Sequence, residues 1–136
     1  MKSAVGAASE RTEGKAHMRI AITATGTDVD SQVDPRFGRA QFILILDESG
    51  TIVEAVDNSQ NLNAMKGAGI QTAKILADRK VDVLMTGHCG PNAFTTLKAA
   101  GIKVGIEQSG TVKDALDRFN RNAVKYADQP NVEAHW

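Results

Sequence analysis

The stretch Val81-Asp82-Val83-Leu84-Met85-Thr86-Gly87-His88-Cys89-Gly90-Pro91-Asn92-Ala93 decides how the rest of the chain is read. Val81 to Met85 is largely apolar and of strand length, the mark of a strand buried in a parallel sheet. Gly87 to Pro91 then forms a turn. Asn92 to Ala100 sets Ala93, Phe94 and Leu97 at helical spacing, closed by Gly101 as a C-cap. Strand, turn and helix in that order are the unit of an α/β fold, in which ligands bind beyond the carboxyl ends of the strands. The turn carries the only cysteine and one of three histidines. A soft sulfur beside an imidazole makes Cys89 and His88 candidate metal or metal–sulfur ligands.

Outward from this unit, Ile102, Val104 and Ile106 alternate with Lys103, Gly105 and Glu107, predicting a strand with one less buried face. Thr111 is placed to cap a last helix that carries Val112, Ala115, Leu116 and Phe119 on one stripe, with Asp114 at its third position. From Asn122 onward the chain is polar. On the other side, Gly67 to Arg79 predicts a helix with Ile70, Ala73, Leu76 and Ala77 on one face. Arg19 to Thr25 reads as a first strand. Phe42 to Leu46 is continuously apolar, so a strand over Gln41 to Asp47 is buried on both faces. Glu48-Ser49-Gly50 turns into a strand over Thr51 to Val56, completing a β-hairpin. Two polar loops remain, Gly26 to Arg39 and the asparagine-rich Asp57 to Lys66. The predicted architecture is α/β, a five-stranded mixed sheet of order 3-2-1-4-5 flanked by three helices, with parallel crossovers and an antiparallel hairpin edge.

Composition narrows the function classes. The 136 residues suffice for one domain with a real core, and 42% are hydrophobic. Formal net charge is zero with no run of basic residues, and 4% aromatics leave no stacking platform, so no nucleic-acid partner is expected. No apolar run approaches bilayer length, so no membrane partner is expected either. One cysteine allows no internal disulfide and suits a reducing cytoplasm. Residues 1–17 are small and polar and read as a disordered extension ahead of a start at Met18. That leaves an α/β domain over 18–122 and a C-terminal tail over 123–136, expected to be monomeric.

The topology brings the loop after the first strand, the loop before the first helix and the Gly87 turn to one end of the sheet. Each holds groups suited to an anion. Arg36 and Arg39 offer fixed positive charge and forked donors, although surface arginines are often merely solvated. Gly67-Ala68-Gly69 and Gly90-Pro91-Asn92 open helices whose first amides lack intrahelical partners. Gly67-Ala68-Gly69 has no strand leading directly into it and no third glycine, so it is not a dinucleotide fingerprint. Asp28, Asp30 and Asp34 lack the glycine and terminal glutamate of a calcium loop. His88 and Cys89 alone cannot close a tetrahedral zinc site, and a lone cysteine also serves as a small buried hydrophobe. No hydrolase elbow, phosphate-loop lysine or metalloprotease motif is present, so the protein is not expected to be an enzyme.

Several stretches together resemble the dinitrogenase iron–molybdenum cofactor-binding family. They are Met18-Arg19-Ile20-Ala21, Asp34-Pro35-Arg36-Phe37-Gly38-Arg39-Ala40, Gly67-Ala68-Gly69-Ile70-Gln71, Gly87-His88-Cys89-Gly90-Pro91-Asn92-Ala93 and Gly110-Thr111-Val112. The resemblance implies a ribonuclease H-like fold and a non-catalytic role in binding or delivering a preformed metal–sulfur cluster between donor and acceptor proteins. Thr23-Ala24-Thr25-Gly26 and Asn131-Val132-Glu133-Ala134-His135-Trp136 are similar to a member whose cargo is a molybdenum–copper sulfide cluster held without covalent bonds. An iron–molybdenum cluster is the alternative cargo. Such a guest is a bulky polyanion already ligated by sulfide, which favours positive charge, helix N-termini and an apolar wall over thiolates. A cluster held by cysteine alone would want about four. The expected cradle is Arg36, Phe37, Gly38, Arg39, Met65, Gly67, Gly69, Gly87, His88, Cys89, Gly90, Pro91 and Asn92, with Phe37 and Met65 as apolar wall and Cys89 and His88 as the metal-contacting pair. A partner-binding regulatory module of the same fold that holds no cluster is the other reading.

Overall fold

A computed structural model of the chain describes residues 18–59 and 67–130. The expected extension over 1–17, Met65 and the tail stretch 131–136 lie outside the described residues. Five strands, β1 (Ile20–Ala24), β2 (Phe42–Leu46), β3 (Ile52–Asp57), β4 (Val83–Met85) and β5 (Lys103–Gly105), form one sheet of order β3-β2-β1-β4-β5. Three helices, α1 (Ala68–Asp78), α2 (Pro91–Ala99) and α3 (Val112–Asn120), pack on it. β1 pairs antiparallel with β2 and parallel with β4, while β4 and β5 are parallel and β2 and β3 form the hairpin. This is the architecture that the periodicity predicts.

The alternation of the central strands sorts the core into two layers. Ala21, Ile43, Ile45, Leu84 and Val104 face Ala73 and Leu76 of α1 and Phe94 and Leu97 of α2. Ile20, Ile22, Leu44, Leu46, Val83 and Met85 face Val112, Ala115 and Leu116 of α3. β1 is buried along its whole length, so its two-sided burial follows from its central position rather than from a continuously apolar sequence. α3 starts with the expected cap. Thr111 Oγ1 accepts from the Asp114 amide at 3.1 Å, and the Thr111 amide donates to Asp114 Oδ2 at 3.0 Å. That amide, and then the Thr111 hydroxyl, hold the Asp114 carboxyl below the usual carboxylate range.

The polar stretch after α3 is partly recruited into the sheet. The Ile106 amide donates to Lys125 O at 2.9 Å and the Ala127 amide to Val104 O at 2.8 Å, so residues 125–127 lie along the free edge of β5. Among the described residues, no helix is long and apolar enough to cross a membrane.

Candidate functional site

Because β1, β4 and β5 run parallel, the segments after β1 and β4 leave the sheet at one end. The hairpin returns the start of β2 and the end of β3 to that end, beside the N-terminus of α1. Asp34 organises the first of these segments. Its carboxylate accepts from the Arg36 and Gln41 amides, each at 3.2 Å. Its own amide donates to Thr23 O at 2.9 Å, and the Thr23 hydroxyl donates to Asp34 O at 2.7 Å. The same hydroxyl lies 2.9 Å from Thr86 Oγ1, tying the ends of β1 and β4 together below the site.

From Asp34 the chain runs along the Gly87 turn. The His88 amide donates to Pro35 O at 2.7 Å and the Phe37 amide to His88 O at 3.2 Å, so Arg36 and His88 face each other in a parallel bridge. A β-carbon on Gly87 would stand 2.7 Å from Pro35 O and 2.8 Å from Pro35 Cα, which only glycine avoids. On the opposite side the Glu107 amide donates to Gly87 O at 2.8 Å and the Gln108 amide to Thr86 O at 3.1 Å. The turn is therefore held from both flanks, which fixes its shape before any ligand arrives.

The third segment joins at Gly38. A β-carbon there would meet Gly69 N at 2.6 Å and Gly69 Cα at 2.7 Å, and one on Gly69 would meet Ala93 Cβ at 2.9 Å. The Arg36–Arg39 turn, the start of α1 and the start of α2 thus touch through backbone and a methyl group. Gly67, with φ +80°, starts α1, and Gly90 starts α2 with Pro91 at the first helical position. Neither helix has a side-chain cap or an acidic residue in its first turn, in contrast to α3. Their first amides thus lack both intrahelical partners and a side-chain cap, and the positive ends of their dipoles are not offset by a first-turn carboxylate. Arg36 and Asn92 are exposed, while Arg39, His88, Gly90 and Pro91 are half-buried.

Three of the expected site residues are buried: Gly87, held between Pro35 and Glu107, and two side chains that lie in the core. Phe37 is 2% exposed and packs in the core beneath its turn. Cys89 is 1% exposed in the same layer, its Sγ 3.8 Å from Gly90 O. Burial pushes the Cys89 thiol up to about 12, so it is protonated at neutral pH rather than the thiolate that binds metal. No group of three or more His, Cys, Asp or Glu side chains stands ready for a metal ion among the described residues. Asn58 and Thr72 were not singled out by the sequence. Both are fully buried next to Gly38, and Asn58 reads in the sequence only as one of several loop asparagines.

Residues 18–122 match the dinitrogenase iron–molybdenum cofactor family. The chain belongs to that family. Among solved structures it is similar to the apo form of the orange protein from Desulfovibrio gigas, at 45% identity and a TM-score of 0.81 over 87% of this chain and 100% of that one. A protein from Thermotoga named as a NifB protein is 38% identical, with a TM-score of 0.69 over 80% of this chain and 92% of that one. An uncharacterised protein of Methanocaldococcus jannaschii is 27% identical over 106 residues, spanning 75% of this chain and 89% of its own. The orange protein is the member that Thr23–Gly26 and 131–136 resemble.

Proposed function

We propose that the protein is a non-catalytic carrier that binds a preformed anionic metal–sulfur cluster and passes it between donor and acceptor proteins. The observation that carries this reading is the meeting of three anion-suited segments at one sheet end. Arg36 is bridged to His88, Arg39 follows in the same turn, and two helices without side-chain caps begin beside them. Family membership supports the same reading, since the family's description is of an iron–molybdenum cofactor.

The cargo is held by charge, backbone amides and shape. Arg36 and Arg39 supply positive charge and forked donors, and the first turns of α1 and α2 supply directed N–H donors. Gly67 and Gly90 keep the backbone at the two helix starts free of side chains, while Gly69 and Gly87 let Ala93 and Pro35 pack close beneath the site. A protonated, buried Cys89 contributes packing beneath the turn, while the half-buried His88 stands at its rim. Such a guest brings its own sulfide ligands, so it does not need the set of about four cysteines that a protein-ligated iron–sulfur cluster would. The likeness to the orange protein supports a molybdenum–copper sulfide cargo, and the family's description supports an iron–molybdenum cluster as the alternative.

Reconstitution tests the reading. The apo-protein, incubated anaerobically with tetrathiomolybdate and a copper(I) salt, is expected to elute from gel filtration with a visible chromophore at fixed metal stoichiometry. Colourless protein after the column, from material that is folded by circular dichroism, contradicts it.

A further inference from the structure

Beneath the cradle sits a polar network buried in the core. Asn58, immediately after β3, is completely buried, and so is Thr72, in the second turn of α1. Asn58 Nδ2 donates to Ala40 O at 2.9 Å and to Gly38 O at 3.2 Å. The Thr72 hydroxyl lies 3.2 Å from Asn58 Oδ1 and 3.3 Å from Gly38 O. The Asn58 amide also donates to Gln41 O at 3.0 Å. One side chain therefore links the end of the hairpin, the turn that carries Arg36 and Arg39, and the helix whose N-terminus faces that turn.

The location gives the network a task. Gly38 is the point where the arginine turn touches the α1 backbone, with Gly69 N only 2.6 Å from where a Gly38 β-carbon would be. Asp34 and His88 hold the Arg36 side of the turn and the Ala40 amide closes it locally on Phe37 O at 3.3 Å, while Asn58 and Thr72 tie its Gly38–Ala40 side to α1. Without Asn58 the Ala40 carbonyl loses the Nδ2 donor at 2.9 Å, and buried carbonyls left unpaired drive local rearrangement. We propose that Asn58, braced by Thr72, is a positioning residue that sets the spacing between the Arg36–Arg39 turn and the N-terminus of α1, and so the fit of the anionic cargo. This rests on the carrier reading, but the positioning itself has a readout that needs no cargo.

The experiment pairs two measurements on the full chain. The first is the rate at which protein loaded with tetrathiomolybdate and copper(I) loses its chromophore after gel filtration. The second is the backbone order parameter of Gly38 to Gln41 in the apo-protein by ¹⁵N relaxation. Asn58→Ala is expected to release the chromophore about tenfold faster, equivalent to ~1.4 kcal/mol, and to lower the order parameters of Gly38 to Gln41 while those of β1 stay rigid. Thr72→Val, which keeps the shape, is expected to move both readouts in the same direction by less, and it decides the matter alone if Asn58→Ala does not fold. Thr111→Ala, at the cap of α3 on the face of the sheet opposite α1, lowers Tm without changing either readout. Unchanged order parameters in both the Asn58→Ala and Thr72→Val variants overturn the proposal, as does chromophore loss that simply follows Tm across all three. If the wild type takes up no chromophore, the carrier reading fails and the order parameters still decide the role of Asn58.

Discussion

Gly38→Ala is the sharpest single perturbation of the cradle. The added β-carbon would stand 2.6 Å from Gly69 N, 2.7 Å from Gly69 Cα and 3.1 Å from Ala68 C. All three are backbone atoms at the start of a helix that is itself packed on the sheet, so no side chain can swing away. Gly38 does not occupy the left-handed region, so alanine fits its backbone conformation and the penalty is purely steric. Overpacking of this kind costs about 1–3 kcal/mol. In a domain of this size that is a Tm loss of about 3–10 °C. To relieve the overlap the arginine turn must move off α1, so cargo retention should fall with it. Gly26→Ala is the matched control. Its β-carbon would meet Ser31 Oγ at 2.5 Å, an equally close approach, but that atom ends a short side chain in an exposed loop and can rotate. The control is expected to cost less than ~0.5 kcal/mol, as surface substitutions usually do. Thermal unfolding by circular dichroism and chromophore retention read the two variants. Gly38→Ala melting within experimental error of the wild type, or Gly26→Ala proving as costly, refutes the steric reasoning.

Replacing both Arg36 and Arg39 with Gln is expected to weaken chromophore retention by at least tenfold with little change in Tm, and added salt should weaken the wild type in the same direction; unchanged retention moves the site elsewhere. Cys89→Ala should still load a chromophore at native stoichiometry, and iodoacetamide should not label native Cys89 at neutral pH, because the thiol is buried and protonated. The raised thiol value adds a pH signature: stability is full below about 9, the ordinary thiol value, and falls as pH rises towards about 12, because only the unfolded chain ionises in that window, a slope that Cys89→Ala should reduce. Thr111→Ala should cost about 1 kcal/mol of stability. The opposite sign applies to Asp114, whose lowered carboxyl contributes stability above the ordinary carboxylate value and loses it as pH falls further, so Asp114→Asn should flatten the acid limb of a Tm-against-pH curve.

What could be read in the sequence were the local patterns. Five apolar residues from Phe42 to Leu46 announced a strand buried on both faces, and Thr111 with Asp114 announced a helix start, because each signal lies within a few residues of its consequence. The strand order followed from the alternation of strands and helices, and with it the gathering of three loops at one end. Long-range satisfaction of polar groups was not legible. Asn58 looks like any loop asparagine until Gly38 and Ala40, 20 and 18 residues earlier in the chain, fold over it. Cys89 carries no local mark of depth, since its burial comes from the packing of the whole layer between the sheet and α2. Residues 125–127 have no strand pattern of their own and join the sheet because the free edge of β5 offers partners.

The most direct test of the carrier reading is metal analysis together with a visible spectrum of the protein purified anaerobically from its native source. The reading predicts molybdenum with copper, or with iron, at fixed stoichiometry and a cluster chromophore that travels with the protein. Metal-free, colourless protein from cells that make such clusters contradicts it and leaves the regulatory, cluster-free reading of the same fold.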